Sequence, residues 1–253
     1  MRPRKRFGQH FLHDPRVLRR IVDAVAPARG DVVVEIGPGE GALTRALLAR
    51  LERLTAIEID RDLAARLSRE YSSERLSVIG ADALGYDFST LPAGVRIVGN
   101  LPYNISTPLL FHLARFADRV RDLHFLLQKE VVDRMVARPS TPAYGRLSVM
   151  LQVRFAMAKL FEVGPGAFRP PPKVDSALVR LVPLAQAPDG DAGLLEKIVR
   201  EAFSARRKTL RNALPLAPGD YAALGIEPGL RPENLAPADY VRIARRLSGA
   251  RAR

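Results

Sequence analysis

The chain has 253 residues, enough for one sizeable core and a second small domain. No apolar run approaches the roughly eighteen residues of a membrane helix, and MRPRKRFGQH carries no apolar stretch behind its charges, so neither a span nor a secretory leader is expected. The absence of cysteine excludes disulfides and thiolate metal sites, and four scattered histidines make no HExxH pair, so no metal site is expected. The formal net charge is +13 and it is unevenly spread. Residues 1–20 hold seven Lys/Arg against Asp14, residues 197–211 hold six against Glu201, and residues 242–253 hold five with no acid. Basic patches around a near-neutral body suit a polyanionic partner such as nucleic acid; solvated, arginine-rich helix faces are the alternative.

Along the chain, VVVEIG (32–37), LTAIEI (54–59), LSVIG (76–80), VRIVG (95–99) and LHFLLQ (123–128) are short apolar runs, the first four β-branched, that predict buried strands. GALTRALLARLE between the first two has helical spacing, so an α/β fold with a mainly parallel sheet is expected. Stretches around 150–160 and at 176–184 fit antiparallel strands closing the sheet. AQAPDGDAG (185–193) predicts a linker, and helical patterning follows it. The division expected is therefore 1–184, with a basic N-terminal segment over 1–20, and 185–253.

EIGPGEG (35–41) ends the first strand and opens the first helix, where glycines allow a tight turn and close approach of a ligand. Glu58 ends the second strand, 21 residues beyond Gly37, a spacing that suits an acid accepting from both ribose hydroxyls. Gly37, Gly39 and Ala42 also satisfy the dinucleotide pattern GxGxxG/A, so NAD competes as the ligand. Asp82, at the end of the third strand, can reach an adenine amino group or serve as a cap. NLPYNIST (100–107) follows the fourth strand and faces the same ligand crevice. Acceptors on the Asn100 side chain and Leu101 backbone can hold both hydrogens of a planar exocyclic amine and aim its nitrogen at an electrophilic methyl. Tyr103 offers a face for base stacking, and Pro102 stiffens the turn.

EIGPGEG, IEID, ADAL, NLPYNIST, LLQKEV, YGRLSV and FRPPPKVDSALVRL resemble the ribosomal RNA adenine dimethyltransferase family, in its bacterial small-subunit branch. The resemblance runs from KRFGQHFL to RRKTLRN and the C-terminal helices. It implies a Rossmann-like class I methyltransferase domain with a mostly parallel seven-stranded sheet, followed by a small all-α domain that binds RNA. It also implies S-adenosylmethionine as cofactor, held by His10, Leu12, Gly37, Gly39, Glu58, Asp82 and Asn100. Asn100, Leu101 and Tyr103 are implied to handle the target base, with Phe168 as the second aromatic of a sandwich; from the residues alone, Phe168 reads as core packing. The implied reaction is transfer of two methyls to N6 of each of two adjacent adenosines near the 3′ end of 16S rRNA, in an immature small subunit, by a cytoplasmic monomer.

Arg200, Ser204, Arg207, Lys208 and Arg211 share one face if 197–211 is a single helix, with Val199, Phe203, Leu210 and Leu214 on another. Such a stripe suits phosphates rather than base edges. Three other readings remain: a dehydrogenase, which NLPY gives no hydride-handling residue; a large-subunit adenine methyltransferase, which shares the loop and an NxPY motif; and an assembly factor whose binding outweighs its chemistry.

Overall fold

In the computed structural model the described residues are 10–186 and 191–251. Most of the basic N-terminal stretch, the centre of the expected linker and the last two residues lie outside them. In chain order the elements are β1 (Phe11–Leu12), α1 (Pro15–Val25), β2 (Val33–Ile36), α2 (Ala42–Leu48), β3 (Leu54–Glu58), α3 (Arg61–Glu70), β4 (Leu76–Gly80), β5 (Val95–Asn100), α4 (Ser106–Ala114) and β6 (Val120–Gln128). They continue with α5 (Lys129–Met135), α6 (Arg146–Gln152), β7 (Phe155–Val163), β8 (Phe168–Arg169), β9 (Ser176–Pro183), α7 (Ala192–Ser204), α8 (Leu210–Ala213), α9 (Pro218–Leu224) and α10 (Pro237–Arg251).

The described residues form two compact units, one within 1–132 and 157–183, the other within 133–156 and 184–253. The sequence placed 133–156 with the first unit. In the structure Tyr144, Val149 and Val153 bury themselves against Leu195, Ile198 and Val199 of α7, and the Tyr144 hydroxyl donates to the Leu235 carbonyl at 2.9 Å. Apolar side chains in and beside α6 thus find their core among residues distant in sequence, which no local pattern announces.

The first unit is built on a seven-stranded sheet of order β4-β3-β2-β5-β6-β9-β7. The β4–β3, β3–β2, β2–β5 and β5–β6 pairs are parallel, and β9 runs antiparallel to β6. The chain starts at β2, steps outward to β3 and β4, then returns to the other side at β5. That reversal leaves a crevice beyond the carboxyl ends of β2 and β5. The two strands lie so close there that a Cβ on Gly99 would fall 2.5 Å from the Ile36 carbonyl oxygen. A second, two-stranded sheet pairs β1 with β8, Phe11 opposite Arg169 and Leu12 opposite Phe168. It straps residues 10–12 across that end of the large sheet.

In the second unit the expected continuous helix over 197–211 is interrupted. The helix α7 ends at Ser204, and α8 starts only at Leu210. The Lys208 amide turns back to the Ala205 carbonyl, while the amides of Leu210 and Arg211 bond to the carbonyls of Leu230 and Pro228. These outside acceptors replace the i−4 ladder, so the helix cannot run through. The apolar face survives the break, since Val199, Leu210 and Leu214 are all buried.

Candidate active site

The glycine loop after β2 is shaped by backbone that side chains resist: Gly37, Gly39 and Gly41 have φ of 68°, 57° and 79°. A Cβ at Gly39 would sit 2.9 Å from the Phe11 ring of the strap. At the end of β3, Glu58 is 4% exposed; its Oε2 accepts from the Gly39 amide at 3.1 Å and its Oε1 from the Asp60 amide at 2.9 Å. Each oxygen keeps a lone pair for a further donor. Burial raises the Glu58 carboxyl above its ordinary range, opposed by the amides of Asp60 and Gly39. Asp82 caps the Leu84 amide at 2.9 Å and is exposed at the crevice edge, serving as cap and wall together.

Beyond β5 the Asn100 Nδ2 donates to the His10 backbone carbonyl at 2.8 Å. That bond decides which way the amide faces. With the nitrogen engaged, Oδ1 is the free atom, and it accepts no hydrogen bond among the described residues. The His10 ring is held in turn, its Nδ1 lying 2.8 Å from the Pro170 carbonyl. A carbonyl only accepts, so Nδ1 carries the hydrogen. The His10 and Tyr103 rings lie with centroids 5.5 Å apart, tilted by 32°.

His10, Leu12, Gly37, Gly39, Glu58, Asp82, Asn100, Leu101 and Tyr103 all line this one crevice. Phe168 does not. It is 2% exposed and packs in the core with Leu12, Val163 and Ala167, so the expected aromatic sandwich is not formed. Its main chain pairs with Leu12, and that pairing directs the ring inward. Of the basic residues, Arg200, Arg207, Lys208 and Arg211 are exposed and make no ion pair among the described residues. Arg206, beside them, is bound to Glu233 and to the Pro142 carbonyl.

One crevice residue carried no role in the sequence reading. Glu35 on β2 is wholly buried and accepts from the Thr44 hydroxyl at 2.6 Å. Burial pushes its carboxyl up to about 7, Thr44 opposing and the neighbouring Glu58 charge adding to the rise. An acid inside the apolar run VVVEIG was the available signal, because an unpaired carboxylate is costly there.

The residues fit S-adenosylmethionine on their own chemistry. Glu35 and Glu58 make no ion pair among the described residues, which favours a cationic ligand. The left-handed glycines clear space for close backbone approach, and Glu58 can accept two hydroxyls. An open α/β sheet with such a crevice at its switch point is the fold of class I S-adenosylmethionine-dependent methyltransferases. The sequence matches the profile of a family described as "Ribosomal RNA adenine dimethylase" over residues 1–248. It is 62% identical to the "Ribosomal RNA small subunit methyltransferase A" of Aromatoleum aromaticum, over 96% of this chain and 93% of that one. With the protein of the same name from Thiobacillus denitrificans it shares 58%, covering 97% and 98%. Among solved structures it resembles a dimethyladenosine transferase from Plasmodium falciparum, with TM-score 0.83, 25% identity and coverage of 95% and 98%. A 23S rRNA methyltransferase, ErmE, gives TM-score 0.71 and 29% identity, with coverage of 94% and 99%. The chain belongs to the ribosomal RNA adenine dimethylase family, and is an S-adenosylmethionine-dependent rRNA adenine dimethyltransferase.

Proposed function

We propose that the protein methylates N6 of two adjacent adenosines near the 3′ end of 16S rRNA, two methyls on each, in an immature small subunit. We further propose that it does so as a cytoplasmic monomer. The carrying observation is the Asn100 amide, whose free acceptor faces a crevice that also holds Glu58 and Tyr103. Identities of 58–62% to proteins named for the small subunit, against 29% to a 23S rRNA enzyme, support the choice of substrate. Among the described residues no helix is long and apolar enough to cross a membrane.

S-adenosylmethionine supplies a methyl group already activated by its positive sulfur. Glu58 holds the ribose hydroxyls, while Gly37, Gly39, His10, Leu12 and Asp82 shape the rest of that pocket. The target adenine must leave its stack to enter. Asn100 Oδ1 and the Leu101 carbonyl accept its two amine hydrogens, which turns the nitrogen lone pair toward the methyl. Tyr103 carries the ring of the base. Phe168 contributes from the core, by holding the strap that orients His10. No strong base is required, since positioning in a desolvated pocket supplies most of the rate. The first unit performs this chemistry. The second supplies phosphate contacts through Arg200, Arg207, Lys208 and Arg211, which are exposed and make no ion pair among the described residues.

The deciding experiment is mass spectrometry of the 16S rRNA 3′ region after single-turnover reaction with immature small subunits. Wild-type protein yields two dimethyladenosines. Asn100→Ala yields about a hundred- to a thousandfold less product per unit time, a loss typical of a positioned polar group. Near-normal rates in that variant would reduce NLPY to a structural turn. Reversal of Arg207 and Lys208 to Glu lowers the salt slope of RNA binding by roughly one unit per lost contact. An unchanged slope would mean a solvated face.

A further inference from the structure

Tyr103 lies in the turn between β5 and α4, where the Ile105 amide and the Ser106 hydroxyl both bond to the Pro102 carbonyl, at 3.2 and 2.9 Å. These contacts hold the backbone of the turn but leave the tyrosine side chain its two torsions. The far end of the ring is caught elsewhere. Its hydroxyl lies 2.7 Å from Oγ of Ser176, a residue 73 positions later in the chain. Ser176 opens β9, pairs in register with Gln128 of β6, and is wholly buried. Its hydroxyl has no other partner among the described residues. A buried hydroxyl without a partner is unfavourable, so each of the two groups holds the other in place.

We propose that Ser176 is a positioning residue for the methyl transfer: through the Tyr103 hydroxyl it fixes the aromatic face on which the target adenine stacks. Pinned at Cα and at the hydroxyl, the ring keeps only rotation about its long axis, and the His10 ring limits that rotation from one side. The face is therefore set before the base arrives, and ordering it costs nothing at the moment of capture. Ser176 sits on a strand of the main sheet, the most rigid anchor available to a turn. The proposal rests on Tyr103 being the stacking platform.

The test is a double-mutant cycle on the full-length enzyme with immature small subunits. Single-turnover rates at saturating RNA are read beside S-adenosylmethionine affinity and the melting temperature. Ser176→Ala and Tyr103→Phe each lower the rate by about three- to tenfold, the scale of one ordinary hydrogen bond. The double variant falls no further, and cofactor affinity is unchanged in all three. RNA carrying 2-aminopurine at the target position shows weaker stacking quench in the same three variants. A purely structural serine would lower the melting temperature while leaving rate and quench at wild-type values, which overturns the proposal. Multiplying effects in the double variant overturn it too. If Ser176→Ala does not fold, Tyr103→Phe alone decides: wild-type rate and quench would mean the tether does nothing. Tyr103→Ala separates the two claims. Strong loss there with an innocuous Ser176→Ala sinks only the serine's role; undiminished rate and quench in Tyr103→Ala sink the platform, and the tether with it.

Discussion

The two ends of the main sheet treat buried acids in opposite ways. At the amino end, Arg96 of β5 forks onto Asp122 of β6 at 2.9 and 2.8 Å and reaches Asp31 at 2.8 Å. Burial alone would raise both acids. His124 and Arg96 hold Asp122 below the ordinary carboxylate range, as the Ala28 amide and Arg96 do for Asp31. At the carboxyl end, Glu35 and Glu58 have only hydroxyl and amide donors, and burial wins, so both carboxyls are raised. One end is a closed knot of matched charge. The other is an acidic crevice with no ion pair of its own among the described residues, which suits a cationic sulfonium ligand.

The largest expected effect tests the knot. Arg96→Met leaves Asp122 without its forked partner and should destabilise the protein by about 3–5 kcal/mol in urea unfolding. Cofactor affinity of the folded variant should be unchanged. A loss below about 1 kcal/mol would show that the network is replaceable packing.

Removing charge at the crevice should have the opposite sign. The folded Glu35 carboxyl binds its proton more tightly than the unfolded one, about 7 against 4.5. Its contribution to stability is therefore fully present below pH 4.5 and is lost as pH rises through 7, a swing on the order of 3 kcal/mol. Glu35→Gln should flatten that decline between pH 5 and 8 and gain stability at pH 8. A pH profile identical to wild type would place the proton elsewhere.

The smallest of the three concerns the ligand. Glu58→Ala removes a charged acceptor from two hydroxyls and should weaken S-adenosylmethionine binding by about 2–3 kcal/mol. Calorimetry that finds full affinity in a folded variant would leave the crevice's acidity without a purpose at that position.

The parallel strands were legible because each is a short apolar run, most of them β-branched, and the observed β2 to β6 fall on the expected runs to within a few residues at their ends. The crevice was legible for a related reason: glycines, Glu58 and Asn100 stand where strands end, and parallel strands bring their ends together. What stayed hidden depends on partners far along the chain. Nothing near Ser204 marks the end of α7; the carbonyls of Pro228 and Leu230 impose it. Phe168 takes the core place that its residues alone suggested, held there by its pairing with Leu12, whereas the family resemblance had implied a binding aromatic. Ser176 gave no signal at all, since its meaning lies in a tyrosine 73 residues away.

The strap across the crevice also fixes when the enzyme becomes competent. His10 is tied to Pro170 across 160 residues and to Asn100 across 90. Loops of that length close late, because their entropy must be met before the contact rewards it. During synthesis the strands from β2 to β6 emerge and can associate while residue 170 is still unmade. A chain at that stage has a glycine loop and an acidic crevice, but its Asn100 amide is free to turn either way. The tie to Pro170 holds the His10 whose carbonyl aims that amide, so the geometry for methyl transfer is complete only with the far end of the first unit in place.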